Sequence, residues 1–153
     1  MTRHSYVLLA AVGSLALLMG AYGFQYLGDM APCKLCYWQR YPHMGAVVIG
    51  VFALMIPGRV LPFLGALAAF SSAAIGAFHT GVEREFWQGP TTCTSAPVGG
   101  LSTTDLFDQI MAAPLVRCDE VAWEMLGLSM ASWNAIASLV LVMLWLAAMR
   151  QRS

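Results

Sequence analysis

Apolar residues run without a charged interruption through four windows, 5–28, 41–58, 60–82 and 125–149, which are 24, 18, 23 and 25 residues long. None shows the period-2 alternation of a barrel strand, and each matches the roughly 17 to 25 residues that carry a helix across a bilayer. Only helices and closed barrels satisfy their backbone in hydrocarbon, so the pattern predicts an all-α fold, a four-helix transmembrane bundle with two extracytoplasmic cysteine-bearing loops. The expected helices are about 6–26, 41–56, 60–79 and 131–149, in a single membrane domain covering 1–153, with loops about 27–40 and 80–130.

Local signals refine the elements. Helix two is expected to begin near 37–42, with Pro42 in its first turn, where a missing N–H costs little. Pro57 and Gly58 end it in a tight turn. Helix three carries Gly65, Ala69, Ser72 and Gly76 along one stripe, small enough for a neighbouring helix to approach closely. In the long second loop, "STTDLFDQIMAAPL" reads as a capped amphipathic helix on the membrane surface, and "DEVAWEMLGLSM" as a second short helix leading into helix four. Arg3 ahead of the first window suggests the start of a signal peptide. That apolar run exceeds the about 7 to 15 residues of such a signal, and no A-x-A site closes it, so the window is expected to remain as a helix.

Composition agrees with lipid as the main solvent. The chain is 59% hydrophobic and 10% charged, against about 25% charged in ordinary soluble proteins, and its mean hydropathy is +0.67. It has no basic run, so nucleic acid is not an expected partner; the lipid bilayer is. Four spans put both termini on one side with Arg3, Arg59, Arg150 and Arg152 and no acid. The other side carries Lys34, Arg40, Arg84 and Arg117 with all eight acidic residues. The basic residues tie at four a side, but those beside the termini crowd into far fewer loop residues, which puts the termini in the cytoplasm. All four cysteines, Cys33, Cys36, Cys93 and Cys118, then face an oxidising exterior where disulfides persist.

"MAPCKLCYWQRYPH" at 30–43 places a Cys-x-x-Cys at the boundary between loop and helix. Helix N-terminal N–H groups, with Lys34 and Arg40 nearby, stabilise a thiolate, so Cys36 is expected to be anionic. Two other readings compete. A zinc site asks for a second close pair or for histidines, whereas Cys93 and Cys118 lie 25 positions apart, and no metal is expected. An inert disulfide staple suits that same spacing.

"CKLCYWQR" followed by Pro42, a second loop with two more cysteines, and "EMLGLSMASWN" before the last span resemble the DsbB family over essentially the whole chain. These are membrane thiol:quinone oxidoreductases of the bacterial inner membrane that reoxidise a soluble periplasmic, thioredoxin-like dithiol oxidase and so support disulfide bond formation. The resemblance implies two cysteine pairs working in relay. Cys93 takes the mixed disulfide with the partner and Cys118 resolves it; electrons pass to Cys33 and Cys36, and Cys36 meets the ring of a membrane quinone, ubiquinone or menaquinone. Arg40 stands at the place of the family's quinone-site arginine, and His79 near that of a quinone-proximal histidine. The implied localisation is multi-pass in the inner membrane, with both termini cytoplasmic and the cysteine loops periplasmic. Tyr37, Trp38 and Tyr41 read as interfacial belt residues, and His4 and His43 receive no role. A paralogue serving a dedicated partner and a disulfide-stapled membrane scaffold without turnover are the alternative readings. Enzymes of the vitamin K epoxide reductase type share the chemistry but carry their Cys-x-x-Cys near a late helix.

Overall fold

A computed structural model describes residues 2–90, 104, 107, 111 and 116–151. Four long helices organise them: α1 (Arg3–Tyr26), α2 (Lys34–Met55), α3 (Val60–Glu83) and α4 (Met130–Arg150). Three of these, α1, α3 and α4, are long and apolar enough to cross a membrane. The first half of α2 carries Lys34, Gln39, Arg40 and His43, so it falls outside that group. Cys93 and most of the segment 102–115, where a surface helix is expected, lie outside the described residues.

The packing inverts that of a water-soluble bundle. Many large apolar side chains point outward, Met19 and Met143 being 64% and 65% exposed, while many of the buried positions hold Ala, Gly and Ser. Between helices in lipid, close backbone approach replaces the hydrophobic effect as the driving force, and small residues permit it. The stripe on α3 behaves this way: Gly65, Ala69, Ser72 and Gly76 are all buried. A Cβ added to Gly65 would meet the indole of Trp145 at 2.6 Å, and one on Gly76 would meet the Ala131 carbonyl oxygen at 3.0 Å, so α3 and α4 pack through these glycines.

One core cluster gathers Trp145, Val7, Ala53 and Ala69 towards the end where the chain termini lie. There the buried Arg3 donates through Nη2 to the carbonyls of Ile56 at 3.1 Å and Gly58 at 3.2 Å, tying the start of α1 to the α2–α3 turn. A second cluster, Cys33, Leu35, Val82 and Cys118, closes the opposite end.

Two stretches depart from the sequence pattern. α2 begins at Lys34, so Pro42 sits inside the helix rather than in its first turn. The earlier start is set by Cys33, whose sulfur accepts the backbone N–H of Cys36 as the N-cap; a mid-helix proline is tolerated in a membrane bundle where neighbouring groups serve the freed carbonyl. The segment expected as a second surface helix is instead a hairpin, β1 (Glu124–Met125) pairing antiparallel with β2 (Leu128–Ser129). Its two linking residues, Leu126 and Gly127, have φ of 55° and 76°, the left-handed pair that a two-residue hairpin turn requires. The hairpin is fastened to the bundle: Arg84 donates to the Gly127 carbonyl at 2.8 Å, and the Trp133 indole donates to that of Met125 at 3.2 Å.

Candidate redox site

The N-terminus of α2 brings the first cysteine pair together. Cys33 and Cys36 are free thiols with their sulfurs 2.9 Å apart. Closing them to the roughly 2.05 Å of a disulfide asks for a shift of less than 1 Å. Cys33 is buried and Cys36 is half-buried. Hydrogen bonding to the Cys36 sulfur, reinforced by burial, pushes the Cys33 thiol up, so the proton between the sulfurs resides on Cys33.

α3 supplies His79, one turn before its end. His79 Nε2 lies 3.6 Å from the Cys33 sulfur and 3.8 Å from Glu83 Oε1, and the ring is also hydrogen-bonded to the backbone of Cys118. The other ring nitrogen, Nδ1, is 2.9 Å from Gln39 Nε2. The Gln39 amide is oriented from both sides, donating to the Leu35 carbonyl at 3.3 Å and accepting from Asn134 Nδ2 at 2.8 Å. It therefore donates to Nδ1 and leaves the ring proton on Nε2, directed at the thiols.

The second loop reaches the same point. Cys118 is fully buried and disulfide-bonded, and its sulfur, the Cys33 sulfur and a His79 ring nitrogen all lie within 4.8 Å of one another. Arg117 and Asp119 flank it and pair across it at 2.6 Å.

Below the pair, a cavity of about 420 Å³ opens between α1, α2 and α4. Cys36, Gln39, Arg40 and His43 line it at i, i+3, i+4 and i+7 of α2, facing the apolar Leu17, Ala21 and Phe24 of α1. Arg40 is buried, donates to Gln25 Oε1 at 2.5 Å and to the Ala21 carbonyl at 3.3 Å, and lies over the rings of Tyr22 and Tyr37. Among the described residues no carboxylate forms an ion pair with it. A buried cation served only by neutral groups is costly unless something else supplies electron density.

The structure thus brings Cys33, Cys36, Arg40, His79 and Cys118 to one end of the bundle, while Cys93 falls outside the described residues. Tyr37, Trp38 and Tyr41 are exposed and do not line the cavity. Residues without an expected role also converge here. His43 Nε2 is shared by Asn134 at 3.1 Å, Ser72 at 3.0 Å and Ser138 at 3.2 Å, and Glu83 is hydrogen-bonded to Ser129, the N-cap of α4. The signal for Gln39 and His43 is their spacing from Cys36: polar residues inside an apolar helix face the bundle interior, where they do chemistry or pair.

A family model described as "Disulfide bond formation protein DsbB" matches residues 3–148. A "Disulfide bond formation protein B" of Shewanella amazonensis is 30% identical over 145 residues, covering 91% of this chain and 85% of the relative. One from Pasteurella multocida is 32% identical over 131 residues, covering 80% and 73%. An uncharacterized protein of Rickettsia prowazekii is 28% identical over 133 residues, covering 84% and 77%. With its apolar helices and its clustered thiols, the chain belongs to the DsbB family of disulfide bond formation proteins.

Proposed function

We propose that the protein is a thiol:quinone oxidoreductase of the bacterial inner membrane that reoxidises a soluble periplasmic dithiol oxidase of thioredoxin type. The observation that carries this reading is the position of the Cys33 sulfur. It lies 2.9 Å from Cys36 on the cavity wall and within 4.8 Å of the sulfur of Cys118 in the second loop. Both termini are cytoplasmic, α2 crosses the membrane with its apolar part, about 41–56, and the cysteine end faces the periplasm.

The relay runs as two exchanges. The partner's dithiol reduces the disulfide between Cys93 and Cys118 through a mixed disulfide at Cys93, and leaves oxidised. The Cys118 thiolate then attacks the Cys33 sulfur of a Cys33–Cys36 disulfide and expels the Cys36 thiolate. Cys93 attacks the resulting Cys33–Cys118 bond, which restores the loop disulfide and leaves Cys33 and Cys36 reduced. Free thiols at Cys33 and Cys36 beside a disulfide-bonded Cys118 match the distribution after that transfer.

The cavity suits a quinone headgroup, being largely apolar, with a few convergent polar groups and a volume within the range of small-molecule sites. A quinone bound there accepts two electrons and two protons, ending as the quinol. Arg40, which no carboxylate among the described residues pairs with, holds a cation where oxygen gains negative charge. Cys36, beside the cavity, is the sulfur in position to give up electrons; as the Cys33–Cys36 disulfide closes, Cys33 releases its proton, which supplies one of the two the quinol takes up, the second coming from solvent. His79, a neutral imidazole with its proton on Nε2 next to the sulfurs, relays a proton rather than supplying one, passing it from Nε2 as another is taken up at Nδ1.

Purified full-length protein mixed with a short-chain quinone and a reduced thioredoxin-like dithiol should bleach the quinone absorbance, one quinone per dithiol oxidised. Cys36→Ser should abolish quinone reduction. Cys93→Ser should abolish partner oxidation while leaving the inner pair able to exchange electrons with quinone. No bleaching by the unaltered protein, or the same loss of fold in both variants with no separable defect, overturns the reading in favour of a staple.

A further inference from the structure

We infer that the fully reduced protein holds a soft divalent metal ion, zinc or its like, in a tetrahedral site made by Cys33, Cys36, His79 and Cys118. The four ligands come from three separate parts of the chain. The N-terminus of α2 contributes two sulfurs, the last turn of α3 an imidazole, and the segment before the hairpin a third sulfur. Cys33, His79 and Cys118 are 5%, 3% and 0% exposed, so the site excludes competing water.

Distances favour a metal. With zinc–sulfur bonds of about 2.3 Å and zinc–nitrogen bonds of about 2.0 to 2.1 Å, tetrahedral donors lie roughly 3.5 to 3.8 Å apart. The Cys33 sulfur and His79 Nε2 already stand at 3.6 Å, and the donor atoms of Cys33, His79 and Cys118 lie within 4.8 Å of one another. The two sulfurs of the Cys-x-x-Cys are too close, at 2.9 Å, and Cys36 stands outside the trio of mutually close donors, so its half-buried side chain must rotate away from Cys33 to become the fourth ligand. Sequence spacing disfavours zinc because Cys93 and Cys118 stand far apart, but the fold provides the complement from elsewhere, as His79 and Cys118.

The site is gated by oxidation state. Cys118 is disulfide-bonded in this structure, and a disulfide sulfur is not a thiolate ligand. Two electrons and two protons from a dithiol convert that disulfide to two thiols, one of them Cys118; the entering metal then displaces the protons of Cys33 and Cys118 and takes up the Cys36 sulfur, which already lacks one. Coordination through His79 Nε2 also requires the Gln39 amide to turn over, so that its oxygen accepts a proton moved to Nδ1. Once loaded, Cys33 and Cys36 are both held as ligands and cannot join, so the metal arrests the inner pair in its reduced state. Binding depends on the ligand set alone and not on quinone turnover, so the two readings stand or fall separately.

The test uses the full-length protein in detergent, reduced with a phosphine under anaerobic conditions and titrated with Co2+. One equivalent should give the visible bands of tetrahedral cobalt together with thiolate-to-metal charge transfer, both removed by Zn2+. The same protein with both disulfides formed should give neither. Cys118→Ser should lose about a third of the charge-transfer intensity, one thiolate of three, and His79→Ala should shift the visible bands. Octahedral cobalt or no bands in the reduced wild-type protein overturns the site, as do equal bands in reduced and oxidised protein. That wild-type comparison decides the matter even where a variant fails to fold.

Discussion

At the scale of single residues, the site rests on side chains whose partners lie far away in sequence. Arg40 is the sharpest case: a buried guanidinium whose hydrogen-bond partners among the described residues are an amide and a carbonyl. Arg40→Ala should raise the apparent quinone KM about tenfold or more, the loss of one charge-assisted hydrogen bond worth about 1.5 to 3 kcal/mol, and leave the KM for the dithiol partner unchanged in steady-state assays. Asp119 makes a different prediction. The hydrogen bond from Arg117 holds its carboxyl below the usual carboxylate range. Its folded-state value is therefore lower than its unfolded one, and the stabilisation is fully present above about pH 4 and lost as pH falls through the lower folded value. Thermal unfolding followed from neutral to acid pH should show that loss in the native protein and a flatter profile in Asp119→Asn. The Cys33–Cys36 pair at a helix start was legible because type and spacing carry chemistry locally, whereas Arg40 and His79 stand out for the quinone by resemblance to the family. Gln39 and Asn134, which fix the histidine's tautomer, were not legible, because they meet across 95 positions.

At the scale of elements, the stripe on α3 was readable because a 3.6-residue period of Gly, Ala and Ser has one physical use in lipid. Its counterpart was not: nothing local in α4 announces that Trp145 fills the notch at Gly65. Gly65→Ala should cost about 1 to 3 kcal/mol, as overpacked interiors do, and lower the Tm measured in detergent. The hairpin at Glu124–Ser129 escaped the pattern for a local reason. Its turn seats Leu126, a residue that rarely adopts positive φ, where Asn or Asp is the usual cue. The start of α2 was missed because a cysteine in the capping position is not read as a cap, although its sulfur accepts the same N–H that a serine oxygen takes.

On the scale of the whole molecule, charge-free windows revealed a multi-pass membrane protein, since hydrocarbon leaves few alternatives for a chain so poor in charge. What they do not reveal is the vertical order of the bundle. Small apolar residues and Trp145 fill one end, and a polar layer of Ser72, His43, Asn134 and Gln39 lies between them and the thiols. That order emerges only when the helices are assembled antiparallel.

For the quinone proposed as substrate, the apolar flank of the cavity along α1, with Leu17, Ala21 and Phe24, would set the units in which supply is measured. A ligand arriving sideways from the acyl chains is sensed as mole fraction within a two-dimensional phase, not as molarity in the buffer. Adding empty micelles or vesicles at constant total quinone should therefore slow turnover roughly in proportion to the dilution, while the same addition leaves the rate's dependence on the water-soluble dithiol unaltered. A rate that ignores surface dilution would mean that the ligand enters from water.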